Sequence, residues 1–400
     1  MTDSTFLCLY CGSEKPQNES SLEHAIPQFL GGNSAPKIFQ IANVCKQCNN
    51  RLGLWVDAAY AKSWITTNHL AQAARLLCTK PDDPGLPLRC IGKTPIPNLN
   101  VPDDHVAEHW IGPSGETITW IRPDDERMNS YSGGNPIATK KQASVAYYFP
   151  VSGDRDKHVL GMNSFQRAMD KRKVRKIFGA VILDDNKMEV DPAVLGFDTP
   201  TADEVANREA IRSAIHSGQI QAHFAIDTKF DQRFMCKLAL GIGYSLFGEE
   251  LMNHPTAAEA RRGLWPPSDG THSAIRGAPS LAMSESPLTA IVGYPGGVTI
   301  LVMNVGSTWS ICLSIDEKLP FVIELGPGTM TSPHMNSEEG YALVLVPYLD
   351  ACVALTAAEL IAHKLGVMPN AALEKLDAIR MAATQFDFQL STRTTSQVTP

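Results

Sequence analysis

The sequence predicts an α+β chain. A small metal-supported unit leads, a larger mixed α+β region follows, and a β-rich block closed by helix stands near the C-terminus. Three observations point there. Two Cys-x-x-Cys knuckles lie within the first fifty residues. Short alternating or β-branched runs recur beyond residue 106, among stretches of helical period. Hydrophobic residues make up 44% and charged residues 19%, so the chain can bury cores in about two or three domains. Composition places the divisions at 1–65 for the metal-supported unit, 66–105 for a helix and proline-rich linker, 106–262 for a mixed region with a basic helix, and 288–385 for the β-rich module.

The knuckles come first. Cys8-x2-Cys11 and Cys45-x2-Cys48 are separated by 33 residues. An ordinary zinc ribbon leaves about 15–20. Each knuckle suits a tight turn that offers two thiolates to one tetrahedral ion, and four such ligands make a closed, structural Zn2+ site. The long gap must house something of its own, and it holds Glu23-His24, Pro27 and Gly31-Gly32. On an extended backbone, Glu23 and His24 point to opposite faces, so one can hold a metal while the other works on water. Imidazole has the right pKa to accept a proton near neutrality. Cys78, Cys90, Cys236, Cys312 and Cys352 are scattered and suit burial as small hydrophobes.

Further along, residues 54–77 carry apolar side chains at three- and four-residue steps and predict a helix, with Asn49 and Asn50 just before it, where asparagine is a favoured cap. Residues 79–105, with six prolines, read as linker. Strands are expected at 117–121, 144–149 and 177–183. Arg167, Lys171, Arg172, Lys173, Arg175 and Lys176 form a cationic, helix-like stretch suited to phosphate contact. Residues 203–217 read as an exposed helix, and 230–248 as a largely buried one stopped by Gly248. After a Gly/Pro/Ser-rich break at 263–287, strands are expected at 288–292, 297–305, 309–315, 320–325 and 341–347. A helical region then spans 350–385, and a polar, frayed tail covers 391–400.

The net charge of −7 argues against sequence-independent nucleic-acid binding by the whole surface, leaving local patches. No export pattern follows Met1, and no run reaches about 18 apolar residues. A cytoplasmic chain without a membrane partner is therefore expected. There, nine cysteines serve metal binding or burial rather than disulfides.

The combined pattern resembles a known family. Cys8-x2-Cys11, Glu23-His24-x-x-Pro27, Gly31-Gly32, Asn43 and Cys45-x2-Cys48-Asn49-Asn50-Arg51-Leu52-Gly53, followed by Asp57, is similar to the zinc-containing HNH endonucleases, which have the ββα-metal fold. The resemblance covers about residues 6–60. It implies a structural Zn2+ on the four cysteines and His24 as the general base that activates water. It implies Glu23 and Asn49 as ligands of a catalytic Mg2+ or Mn2+, with Asn50 competing with Asn49 for that role. Asn43 would brace the active-site loop, although the spacing of many members would put that residue near Gln40. Glu23 stands where Asp is commoner, and Asn49 where His is commoner. The implied activity is hydrolysis of DNA, leaving a 5′-phosphate and a 3′-hydroxyl.

Some relatives in bacterial antiphage defence carry a C-terminal sensor for a nucleotide signal or a module that docks on a protein partner. By that analogy residues 288–385 would regulate the nuclease, with room for a homo-oligomer. Two alternatives stand beside it: a non-catalytic zinc module that binds nucleic acid or protein, and a nuclease directed at RNA.

Overall fold

The computed structural model describes residues 4–81, 85–151, 155–170, 172–179, 192–218, 220–278 and 291–395. The fold is mixed α+β and divides into two compact units. One joins Met1–Ala61 to Asp227–Ala378; the other comprises Lys62–Ile226 and Ile379–Pro400.

The first unit opens with a short hairpin, Thr5–Leu7 against Glu14–Pro16. A second antiparallel pair follows, Ser20–His24 with Gln40–Cys45, in which Glu23 faces Ile41 across the ladder and His24 faces Gln40. The chain then enters the helix Lys46–Leu52, capped by the Cys45 side chain. That hairpin and helix make a ββα unit. A π-helical turn, Gly53–Asp57, and a short helix, Ala58–Lys62, extend it.

The same unit contains the long helix Thr228–Phe247, which is buried over most of its surface. Asp227 caps its start, and Gly248 ends it at φ +59, a conformation costly for any residue with a Cβ. A six-stranded antiparallel sheet completes the unit. Its order is Gly277–Ala278, Phe321–Pro327, Thr308–Ile315, Val298–Val305, Tyr341–Val346 and Ala351–Leu355. The central strands are buried continuously over 298–302 and 342–346, whereas 308–313 and 321–325 alternate part-buried with buried residues.

The second unit is built on a five-stranded sheet ordered Arg89–Lys93, His105–Ile111, Thr117–Pro123, Ser144–Phe149 and Val174–Phe178. The last pair is parallel. A parallel pair needs a crossover, and the helix Arg155–Met169 supplies it. Strand alternation divides the side chains. Ile118, Trp120, Ala146 and Tyr148 pack with Phe165 and Met169 of that helix. Ala107, Ile121, Tyr147, Phe149 and Ile177 pack with Ile211. Ile211 lies on the helix Ala202–Ser217, which a Thr201–Glu204 capping box starts.

Several sequence expectations are corrected. The basic run is not one helix face: Arg167 ends a helix, while Arg175 and Lys176 lie on the strand Val174–Phe178. Lys171 lies outside the described residues. That strand begins three residues earlier than expected, and 180–183 fall outside the described residues. The 79–105 linker contains the strand Arg89–Lys93. Ile291 and Val292 are helical, and 288–290 are outside the described residues. Residues 351–355, expected as helix, pair as an edge strand with Tyr341–Val346. The final helix Ala371–Thr395 runs into the stretch read as frayed.

Candidate functional site

The four knuckle cysteines converge. The sulfur atoms of Cys8, Cys11, Cys45 and Cys48 all lie within 4.8 Å of one another. Backbone amides point at two of them: Cys45 N–H donates to Cys8 Sγ at 3.3 Å and Cys48 N–H to Cys45 Sγ at 3.4 Å. Such donors favour thiolate, and the hydrogen bond from Cys48 drives the Cys8 thiol well below its usual range, while the same bond pushes Cys48 up. Four soft sulfurs in one cluster, with no hard oxygen among them, fit structural zinc. The helix Pro255–Leu264 braces the first knuckle. Arg261 Nε donates to Leu9 O at 2.8 Å, and Trp265, just past its end, donates to Tyr10 O at 3.1 Å.

Glu23 and His24 occupy the end of the first ββα strand. Their environments differ as alternation requires. Glu23 is 7% exposed, and His24 is half-buried. Glu23 faces the long helix, as does Ala25 two residues on: a Cβ at Gly241 of that helix would lie 2.9 Å from Ala25 Cβ. The Glu23 carboxylate meets Lys237. Its Oε1 lies 2.9 Å from Lys237 Nζ, and Asp57 Oδ2 lies 2.6 Å from the same nitrogen. Lys237 is fully buried.

Asp57 ends the π-helical turn, and Tyr60, three residues on, shares its face, so both meet the long helix. Tyr60 stacks on Phe234 at 3.9 Å between ring centroids, with planes 3° apart. Phe234, Lys237, Gly241 and Tyr244 recur at three- and four-residue steps and form one helical stripe against the ββα unit. Gly241 leaves room for Tyr10, whose Oη would lie 2.8 Å from a Cβ there. Burial pushes the carboxyls of Glu23 and Asp57 up, and the Lys237 ammonium opposes it. Burial, with Glu23 and Asp57 nearby, holds the Tyr10 hydroxyl well above its usual range. Tyr10 Oη and Asp57 Oδ1 are buried without a hydrogen-bond partner among the described residues.

The three asparagines divide. Asn43 Nδ2 donates to Tyr244 Oη at 2.8 Å, tying the second ββα strand to the long helix. Asn49 Nδ2 donates to Leu22 O at 3.0 Å and to Ser21 Oγ at 3.2 Å, so it clamps the knuckle helix to the Glu23 strand. Asn50 is exposed. A catalytic Mg2+ or Mn2+ on Glu23, Asn49 and Asn50 does not fit this arrangement. The one carboxylate among them is buried against an ammonium, leaving no room for the waters a hard divalent ion retains.

Four residues of the basic run are engaged structurally. Arg167 donates to Gly85 O at 2.6 Å, and Arg172 lies 4.5 Å over the Trp120 ring. Arg175 pairs with Glu204 at 2.7 Å, and Lys176 bonds to Gln166. The Lys173 side chain is exposed.

Lys237, Tyr10 and Tyr244 escaped the sequence-based site. One signal was available: Lys237 stands alone in the apolar run Phe234 to Leu240, and a buried lysine needs a carboxylate.

A ββα hairpin and helix, organised on four clustered cysteines with an acid and a histidine on one strand, define a zinc-knuckle nuclease-type unit. Residues 8–65 match the family model described as HNH endonuclease, which identifies this segment as an HNH domain and implies nuclease-type function with nucleic acid as substrate. Neither a curated protein nor a solved structure matches the chain. Among the described residues, no helix is long and apolar enough to cross a membrane.

Proposed function

We propose that the protein is an endonuclease that hydrolyses phosphodiester bonds in DNA, with His24 as the general base. The family match over residues 8–65, on a segment that folds as ββα beside a four-cysteine cluster, carries this reading. His24 is half-buried at a strand end, and strand alternation turns it to the face opposite Glu23. It would take a proton from water as the oxygen attacks phosphorus. The P–O3′ bond would break, the 3′-oxygen would leave and be protonated, and a 5′-phosphate would remain. No step is assigned to a divalent ion on Glu23, because Lys237 holds that carboxylate. The β-rich sheet belongs to the same compact unit as the HNH segment, which supports regulation by the C-terminal part through a nucleotide or protein signal. A bacterial defence role rests on analogy with relatives of that arrangement.

The test incubates plasmid DNA and a long single-stranded RNA with Mg2+ or Mn2+, using wild type and Lys237→Gln, each with and without His24→Ala. Cleavage of DNA in either background that disappears with His24→Ala supports the proposal. Equal cleavage by the His24→Ala proteins, or no cleavage from either background, overturns it. Cleavage of RNA alone moves the substrate to RNA.

The buried pairing of Glu23 favours a second reading, a zinc module that binds nucleic acid without cutting it. A mobility shift of intact DNA by every variant, with no cleavage, would establish that one.

A further inference from the structure

We infer that Lys237 is the resident cation of the Glu23 and Asp57 carboxylates and excludes divalent metal from Glu23. This goes beyond the nuclease proposal and does not depend on it. The Nζ atom marks a point 2.9 Å from Glu23 Oε1 and 2.6 Å from Asp57 Oδ2. Two carboxylates aimed at one buried point form a cation site, and the ammonium fills it. Mg2+ requires near-octahedral oxygens at about 2.0–2.1 Å and keeps several waters. Glu23 is 7% exposed and Lys237 0%, so such a hydrated ion has no space while the ammonium stays.

The ammonium is also held in place. Its helix is pinned one turn earlier by the Phe234–Tyr60 stack and two turns later by the hydrogen bond from Asn43 to Tyr244. Close packing at Gly241 fixes the spacing between helix and strand. The backbone of Lys237 on the helix Thr228–Phe247 is therefore set at a fixed reach from the two carboxylates. Once the ammonium is gone, Asp57 Oδ1, which has no hydrogen-bond partner among the described residues, is free to join Glu23 Oε1 and Asp57 Oδ2 as a further oxygen donor. The pocket then has the oxygen-only character that suits a hard cation. Lys237 thus acts as an internal competitor for the metal that HNH chemistry would place on Glu23.

The test measures metal occupancy without nucleic acid, so its outcome is separate from cleavage. The zinc-loaded full chain is titrated with Mn2+, and free Mn2+ is followed by electron paramagnetic resonance. Wild type and Glu23→Gln should give coincident isotherms. Lys237→Gln should gain a site at least tenfold tighter than any in wild type, and adding Glu23→Gln should remove it. A wild-type site that Glu23→Gln abolishes would overturn the inference. So would a folded Lys237→Gln protein, verified by near-ultraviolet circular dichroism, that gains no site. If Lys237→Gln does not fold, the comparison of wild type with Glu23→Gln decides alone.

Discussion

Replacing Lys237 by Met should destabilise the first unit strongly, and the loss should depend on pH. The side chains of Glu23 and Asp57 are 8% and 19% exposed, and one ammonium offsets both. Removing one partner of a buried ion pair costs about 3–5 kcal/mol, because the remaining charge is left uncompensated. In a unit of this size each kcal/mol lowers Tm by about 2–4 °C, so a fall of about 6–20 °C is expected. Burial already raises both carboxyl pKa values, and Lys237 opposes that rise. Without it, the native carboxyls hold protons that the unfolded chain releases. Stability then falls as pH rises above the unfolded carboxylate range, near pH 4. The deficit of Lys237→Met should be large at pH 8 and shrink toward pH 5. Combining it with Glu23→Gln and Asp57→Asn removes the stranded charges and should restore much of the loss. Differential scanning calorimetry of the full chain at both pH values measures this. A deficit equal at pH 5 and pH 8, or a triple variant no more stable than the single one, would refute the reasoning.

Other consequences can be tested in the same way. Metal analysis should find about one zinc ion per chain, lost together with cooperative unfolding of the first unit in Cys45→Ser, since structural zinc contributes folding energy outright. Gly241→Ala should lower Tm by several degrees: the new Cβ meets Tyr10 Oη at 2.8 Å and Ala25 Cβ at 2.9 Å, an overpacking cost of about 1–3 kcal/mol against a helix-propensity gain of about 1 kcal/mol. In the second unit, burial holds His109 down to about 4, so the unfolded chain takes up a proton first as pH falls below 6.5. That should cost the unit up to about 3 kcal/mol between pH 6.5 and 4. His109→Gln should flatten this part of the stability curve, and an unchanged acid slope in the variant would contradict it.

Local chemistry explains which elements the sequence exposed. The 117–121 and 144–149 runs alternate or branch at Cβ, and both are strands. Thr228–Phe247 is an apolar run with a glycine stop, and it is a buried helix. The strand Ala351–Leu355 read as helix because its alanines and leucine suit either state; pairing with Tyr341–Val346 decides it. Arg175 and Lys176 looked helical beside Arg167, yet the parallel ladder with Ser144–Phe149 claims them as strand. Long-range pairing overrides weak local preference in both places.

The opening motif divides on the same principle. By itself the sequence determined the zinc knuckles and the alternation of Glu23 and His24, which follow from spacing and an extended backbone over a few dozen residues. The hairpin and the helix after the second knuckle are implied by the family resemblance, while the residues alone place a helix only from 54, eight residues after the start of Lys46–Leu52. Only the tertiary structure decided what Glu23 does in the folded chain. Its partner, Lys237, lies on a helix reached through a whole intervening unit, and Asp57 meets that lysine across 180 residues. The demand of a buried charge for a counter-charge is local, but the residue that answers it is chosen by how distant segments pack.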